Sequence, residues 1–216
     1  MLVRMPLAGI DMTANLSLSP SRSGAIAELA YRIARRLTRI EVGQILRLDL
    51  ASIIPQPQPP VELEYRFLCG DDVRAAASDP RHELDASFAQ RSESGRDFCF
   101  AAFHGSRLAS YSWYAIETIE PEHSFGAGLK LPRDAVYLYK ALTVPDYRGK
   151  QIHGAALSRA AEHFLQRGAA QMVAIVDFAN RASMRSHIKL GFLPAGRLFW
   201  IGSRSIGWGC GDLLRQ

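Results

Sequence analysis

The stretch LTVPDYRGKQIHG, residues 142–154, decides the fold because it joins a predicted strand to a predicted helix. An apolar run, AVYLYKALTV, leads into it, and an alanine-rich helical pattern over about 149–167 follows it. Pro145 has no backbone N–H, so the strand is predicted to stop at Val144. The first turn of a helix has N–H groups without intrahelical partners and the positive end of the dipole. This junction therefore predicts an anion site suited to phosphates.

The residues of the junction add to this prediction. Gly149 has no side chain, so a ligand can approach the backbone closely, and Arg148 and Lys150 add full charges. The net charge is −4 over residues 61–144 and +6 over residues 145–216. A basic C-terminal third suits an anionic ligand such as a nucleotide-bearing thioester. A chance excess of surface arginine is the alternative for the charges outside the junction.

The overall composition limits the class of protein. The 216 residues suffice for one domain with a good core and an appendage. No apolar run reaches the ~18–20 residues of a membrane span. Three scattered cysteines do not form a disulfide framework or a metal site. A reducing compartment fits this usage, so we expect a cytoplasmic protein without a metal.

The periodicity along the chain predicts an N-terminal extension over residues 1–60 and a second domain over residues 61–216. Apolar residues at spacings of three and four predict an amphipathic helix over 23–50, packed on the domain with its arginines outward; membrane or partner docking is the alternative. The run PQPQPP, residues 55–60, reads as a stiff connector, so we expect the extension to be removable.

The later elements alternate as β-α-α-β-β-β-α-β-α-β-β. The strand, crossover helix and strand between residues 135 and 176 predict a parallel pair within a mixed sheet. The predicted fold class is therefore α/β, or α+β with a mixed sheet flanked by helices.

Two motifs carry a family resemblance. The pattern V-x-P-x-Y-R-G-K-x-I resembles the acyl-CoA pyrophosphate loop of the GNAT (GCN5-related N-acetyltransferase) superfamily, with Arg148 matching its start. Gln151 stands where that family has glycine, and His153 stands where it has glycine or alanine. Downstream, the segment 180–192 resembles the family's N-x-x-A/S-x-x-x-Y-x-x-x-G-F segment, with His187 in place of the tyrosine.

This resemblance implies that acetyl-CoA is the acyl donor and lies between two diverging strands. The Val144 N–H is expected to face the thioester oxygen, residues 149–154 to hold the pyrophosphate, and Asn180 to reach the pantetheine arm. The cofactor-binding residues expected are Leu142, Thr143, Val144, Arg148, Gly149, Lys150, Gln151, Ile152, His153, Gly154, Asn180 and Ser183.

The implied reaction is direct attack of an amine on the thioester carbon. His187 is expected to protonate the leaving thiolate; a solvent-facing or core histidine is the alternative. An amine of pKa near ~10 benefits from a base, for which Glu117 and Tyr139 are candidates. The aromatic residues of the predicted strands around Glu117 and Tyr139 either line an acceptor pocket or belong to the core.

The function predicted is therefore acetyl-CoA-dependent N-acyltransfer to a small-molecule or peptide amine, and a homodimer is left open. The alternative is an acyl-CoA-binding module without catalysis, which Gln151, His153 and His187 favour. No nucleic-acid motif accompanies the sequence pI of 9.3, so no nucleic-acid partner is expected. A P-loop NTPase is excluded because Val144 occupies the position of its first glycine.

Overall fold

A computed structural model describes residues 40–95, 97–123, 128–201 and 204–208. Within these ranges the chain forms ten strands and four α-helices. The strands are β1 (Ile40–Asp49), β2 (Glu64–Leu68), β3 (Asp97–His104), β4 (Arg107–Ile116), β5 (Thr118–Ile119), β6 (Leu129–Lys130), β7 (Ala135–Thr143), β8 (Gln171–Asp177), β9 (Leu193–Ile201) and β10 (Arg204–Trp208). The helices are α1 (Gly70–Ala77), α2 (Ala86–Glu93), α3 (Ile152–Gln166) and α4 (Arg181–Lys189). No helix in the described ranges is long and apolar enough to cross a membrane.

Eight of the strands form one mixed sheet in the order β10-β9-β1-β8-β7-β4-β3-β2. Strands β7 and β8 are parallel, as the crossover through α3 requires, and the other pairs are antiparallel. Strands β5 and β6 pair separately. The predicted mixed sheet flanked by helices is thereby confirmed.

Helices cover both faces of this sheet. Phe88 of α2 packs on Trp113, with ring centroids 5.1 Å apart, and Phe164 of α3 packs on Tyr114 at 5.0 Å. Consecutive residues of a strand point to opposite faces, so α2 and α3 lie on opposite sides of β4. Met184 of α4 packs into the same apolar cluster as Phe164, which places α4 on the α3 face.

The N-terminal part of the described chain differs from the sequence prediction. Residues 40–49, expected in a helix, form β1, which pairs with β8 on one side and with β9 on the other. Ile45, Leu46 and Leu48 are at most 1 % exposed, so side chains on both faces of β1 are buried. Pairing on both edges and burial on both faces outweigh the local helical pattern. The removable extension therefore does not include these residues; the rest of the expected helix, 23–39, lies outside the described ranges.

The segment 54–56, where the proline-containing connector begins, also contacts the body of the domain. The Ile54 N–H donates to the carbonyl of Leu190 at 3.4 Å. The Gln56 side chain lies so close to Gly154 that an added Cβ there would meet its Oε1 at 3.1 Å. This segment is thus packed beside the N-terminus of α3 and the end of α4.

Candidate active site

Strands β7 and β8 separate in the middle of the sheet. Their parallel pairing runs from Ala135 and Gln171 to Leu138 and Ala174, but β7 continues to Thr143 and β8 to Asp177. On the α2 face, Tyr137 and Val173 before this point are 1 % and 0 % exposed. The next residues on that face, Tyr139 and Ile175, are only partly buried. The sheet therefore opens beyond Leu138 and leaves a cleft with backbone on each side.

The backbone of β7 determines which groups face this cleft. The Val144 N–H donates to the Ala109 carbonyl of β4 at 3.0 Å, so it does not face the cleft as expected. The Leu142 carbonyl accepts from the Ser110 hydroxyl of β4 at 2.9 Å. Backbone groups alternate in direction along a strand, so the amides of Ala141 and Thr143 point away from β4, toward the cleft.

The loop after β7 has an unusual backbone. A single 3₁₀ turn, Pro145–Tyr147, is followed by Gly149 at φ +77° and Gln151 at φ +60°. Helix α3 then starts at Ile152, three residues later than the predicted start at 149. A positive φ is uncommon for a side chain such as glutamine and natural for glycine. Gln151 thus keeps the backbone conformation that suits the glycine of the family pattern.

A cavity of 420 Å³ lies between this loop, the start of α3 and α4. Its lining includes Arg148 and, from α4, Arg185 and Lys189. Sequence reasoning missed the last two, although residues 182, 185, 186 and 189 have the spacing of one helical face. The full lining is Gln56, Thr143, Tyr147, Arg148, Gly149, Gln151, Ile152, His153, Gly154, Ala182, Arg185, Ser186, Lys189 and Leu190. Cationic side chains and the amides of a helix start are groups that can hold phosphates.

Lys150 lies on the other side of the loop. Its Nζ is 5.2 Å from the centre of the Tyr147 ring, a cation–π contact. It lines a second cavity of 670 Å³, next to Arg107 and Val144. Arg148, by contrast, donates through Nε to the Thr143 carbonyl at 3.1 Å, which orients it beside the first cavity.

Asn180 and Ser183 have structural roles at the start of α4. The Asn180 Oδ1 accepts from the Ser183 N–H at 3.1 Å, so Asn180 is the N-cap of the helix. Neither residue is part of the cavity lining, where Ala182 and Ser186 occur instead.

His187 is buried, with 6 % exposure, on the helix that carries Arg185 and Lys189. Its ring packs on Phe192 with centroids 4.9 Å apart, and burial lowers its pKa, an effect that the hydrogen bond it donates to the Ser183 carbonyl partly offsets. Nδ1 lies 2.8 Å from the Ser183 carbonyl, which can only accept, so Nδ1 carries the hydrogen in that contact. Nδ1 is also 3.3 Å from the Ser183 hydroxyl, which can donate to the other tautomer. Nε2 is buried with no hydrogen-bond partner among the described residues.

His153 lies in the first turn of α3 and lines the cavity. Its ring centroid is 6.5 Å from that of His187. Burial, together with the charge of His187, lowers the pKa of His153 to about 4. Its imidazole is therefore neutral at neutral pH beside the proposed phosphate position.

The α2 face of the opening carries a polar cluster. The Tyr139 hydroxyl donates to Asp97 Oδ2 at 2.9 Å, and the His123 ring stacks on Tyr139 with centroids 4.1 Å apart. Burial lowers the pKa of His123 to about 4, with smaller contributions from Arg91 and Lys140.

Glu117, the other candidate base, is placed differently. It follows β4 at φ +66°, is exposed, and its carbonyl accepts from the Leu131 N–H at 2.8 Å. The preceding residue, Ile116, pairs with Val136 near the start of β7, whereas the loop follows the end of β7. The structure thus brings Tyr139, and not Glu117, to the opening between the strands.

The sequence also matches a model of a known protein family. The family model described as "Acetyltransferase (GNAT) family" matches residues 65–192. This match covers more than half of the chain, and the chain therefore belongs to the GNAT family. No curated protein matches the chain.

Several solved structures have a similar fold. A tandem GNAT protein from the clavulanic acid biosynthesis pathway has a TM-score of 0.54 at 17 % identity. The match covers 80 % of this chain and 57 % of that protein's chain. A GCN5-related N-acetyltransferase from Kribbella flavida has a TM-score of 0.50 at 16 % identity, and the match covers 87 % of this chain and 66 % of that protein's chain. A Drosophila protein has a TM-score of 0.53 at 11 % identity, and the match covers 83 % of this chain and 58 % of that protein's chain. The chain spans less than two thirds of each of these structures, and at such identity the likeness shows the fold alone.

Proposed function

We propose that the protein is an acyl-CoA-dependent N-acyltransferase that takes an acetyl group from acetyl-CoA. The observation that carries this proposal is the separation of β7 and β8 beyond Leu138 and Ala174, beside a cavity lined by three cationic side chains. A linear arm fits between two diverging strands, and its phosphates meet the cations and the start of α3. Membership of the GNAT family supports the same reaction class.

The residues of the cleft have distinct roles in this proposal. Arg148, Arg185 and Lys189 hold the phosphates together with the amides of Gly149 and of the first turn of α3. The cleft-facing amides of Ala141 and Thr143 hold the acyl-bearing arm. A fixed amide beside the thioester oxygen stabilises the developing oxyanion, and one such donor is worth roughly 3 kcal/mol.

The leaving thiolate needs a proton, and His187 remains our proposed donor. Donation from Nε2 requires the imidazolium form, whose Nδ1–H donates to the Ser183 carbonyl at 2.8 Å and which becomes a neutral imidazole once Nε2 has given up its proton. The buried Nε2 without a described partner supports this role, because such an atom is costly unless a ligand satisfies it.

A second candidate function is acyl-CoA binding without catalysis. Burial lowers the pKa of His187 and so favours the neutral imidazole, and the 2.8 Å contact with the Ser183 carbonyl places its single hydrogen on Nδ1, which leaves Nε2 without a proton to donate. Gln151 also adds a side chain to the cavity at the family's glycine position. A binding module would take up CoA and leave the thioester intact.

Turnover assays separate the two functions. Acetyl-CoA is incubated with polyamines, amino sugars, amino-acid amides and short peptides, and release of the CoA thiol is followed with and without each amine. We expect amine-dependent release, and a mass increase of one acetyl group on the amine. Binding of CoA without release under any of these conditions would favour the binding module.

A charge-matched pair of variants tests the phosphate site in the same assay. Arg185→Ala removes a cation from the cavity lining, whereas Arg167→Ala removes the same charge from the far end of α3. We expect the KM for acetyl-CoA to rise roughly tenfold in the first variant, as for the loss of one charged hydrogen bond, and to stay within twofold in the second. Equal KM values in both variants would contradict the assignment of the cavity.

A further inference from the structure

The face of the sheet opposite the phosphate cavity carries a hydrogen-bonded pair at the opening between β7 and β8. The Tyr139 hydroxyl donates to Asp97 Oδ2 at 2.9 Å, and Asp97 is only 8 % exposed. Nη1 of Arg91 lies 3.6 Å from the same carboxylate oxygen. This hydrogen bond joins β7 to β3 across β4 on the α2 face, and the carboxylate is shielded from solvent.

The position of Tyr139 follows from the pairing of the strands. It is the first residue of β7 after the last parallel pair with β8. The register between β4 and β7 also shifts here, since Trp113 pairs with Lys140 and Tyr114 with Leu138. Such a bulge re-aims the side chain of the extra residue. Tyr139 is therefore partly exposed at the opening, while Tyr137, two residues earlier on the same face, is 1 % exposed.

The direction of the hydrogen bond decides what Tyr139 can do. Its hydroxyl hydrogen is directed to Asp97, so its oxygen has only lone pairs to offer to a further group. Burial first, and then the Asp97 charge, raise the pKa of Tyr139, so the phenol keeps a proton at neutral pH. The oxygen can thus accept a proton only if its own proton passes to Asp97 in the same step.

We propose that Tyr139 and Asp97 together remove the proton from the acceptor, a primary amine that arrives as its ammonium ion. This inference rests on the acyltransferase function proposed above. One ammonium N–H bond breaks and its proton moves to the Tyr139 oxygen, while the Tyr139 proton moves to Asp97 Oδ2. The neutral nitrogen then attacks the thioester carbon, a C–N bond forms and the C–S bond breaks. The sulfur takes a proton from His187 and leaves as the CoA thiol, the second amine proton passes to water, from which His187 is protonated again, and Asp97 releases its proton to water.

The charge distribution supports a cationic acceptor. Strands β2 to β4, helices α1 and α2 and all of β7 come from residues 61–144, which carry a net charge of −4. The loop, α3 and α4 come from residues 145–216, which carry +6. The two charge signs suit an anionic donor on the α3 side and a cationic acceptor on the α2 side.

Two nucleophiles distinguish a base from a structural role. Tyr139→Phe and Asp97→Asn are compared with Tyr137→Phe, which removes a hydroxyl from the same face of the same strand. The probes are acetyl-CoA with the most active alkylamine of the panel, and acetyl-CoA with hydroxylamine, whose nitrogen is unprotonated at pH 7.5. We expect kcat/KM for the alkylamine to fall by roughly 10²–10³-fold in the first two variants, the range for a positioned base. Hydroxylamine turnover and CoA affinity stay within threefold of wild type, as do all values for Tyr137→Phe.

Two outcomes would contradict the role of Tyr139 and Asp97 as a base. An equal loss with both nucleophiles would assign a structural role to the pair, and unchanged alkylamine turnover in Tyr139→Phe would remove it from the mechanism; either result overturns the inference. If Asp97→Asn does not fold, as its thermal melting would show, Tyr139→Phe alone decides. A wild-type protein that binds no CoA and releases no thiol would instead overturn the proposed function itself.

Discussion

Two residues of the loop after β7 adopt a backbone conformation that most side chains avoid. Gly149 has φ +77° and Gln151 has φ +60°. Sequence patterns located this loop because glycine, proline and charge signals are local. They did not reveal that Arg185 and Lys189 line the same cavity, because their contribution depends on how α4 is rotated against the loop. The direction of the Val144 amide was likewise missed, since it depends on the register between β4 and β7.

Replacement of Gly149 by valine is expected to weaken CoA binding at least tenfold. An added Cβ at Gly149 meets no protein atom within 4 Å, so the side chain would occupy space left for the ligand. The matched control is Gly168→Val at the end of α3, where φ is +90° and the space is equally open. Both variants bear a strain of roughly 1–3 kcal/mol. Calorimetric titration with CoA checks the difference, and equal affinities in the two variants would contradict the loop assignment.

Replacement of His187 by alanine is expected to lower kcat by roughly 10²–10⁴-fold, the range for a positioned acid. Ser183→Ala keeps the backbone carbonyl that accepts from Nδ1–H and is expected to leave kcat close to the wild-type value. CoA affinity stays within a few fold in both, because neither side chain lines the phosphate cavity. His187→Tyr should recover part of the rate. Steady-state kinetics checks this, and full activity of His187→Ala would assign protonation to another group.

Among the elements, β1 shows most clearly what a sequence pattern cannot supply. Its partners, residues 171–177 and 193–201, are more than 120 positions away along the chain, and their pairing decides the conformation of residues 40–49. The later strands and helices were predicted well because each has its own periodicity and turn residues. The start of α3 was placed too early because the helical pattern does not show the backbone of Gln151.

Substitutions in β1 test whether this strand is integral to the domain. Leu48→Ala removes a side chain that is 1 % exposed and is expected to lower the free energy of unfolding by roughly 2–5 kcal/mol. Arg47→Ala, its exposed neighbour, is expected to change it by less than ~0.5 kcal/mol. Chemical denaturation measures both values. Equal small effects would show that β1 is dispensable for the stability of the sheet.

For the molecule as a whole, buried and partly buried histidines link stability to pH. The pKa of His123 and that of His153 are lowered to about 4, mainly by burial, and the pKa of His187 is also lowered. Below the unfolded value of ~6.5 the unfolded chain takes up protons that the folded chain does not. The free energy of unfolding is therefore expected to fall as the pH is lowered from about 6.5 to about 4.

Denaturation curves at several pH values check this dependence. In His153→Gln the free energy of unfolding should fall less as the pH is lowered, by at most ~3 kcal/mol for a pKa shift of this size. His104→Gln, at an exposed position, serves as the matched control. Hydrogen bonds from Arg66 and Arg81 are the main cause that lowers the pKa values of Asp72 and Asp79 to about 2. Protonation of these two carboxylates therefore lowers the free energy of unfolding only at a lower pH. Constant stability between pH 6.5 and 4 would contradict the burial of these imidazoles.

Calorimetric titration of the wild-type protein with acetyl-CoA tests the central claim most directly, since every step proposed above requires acyl-CoA in the cleft between β7 and β8. We expect one site per chain, a Kd below about 1 mM, and an affinity that falls with added salt because three cations line the phosphate cavity. No binding heat and no thermal stabilisation at millimolar acetyl-CoA would contradict the proposed function.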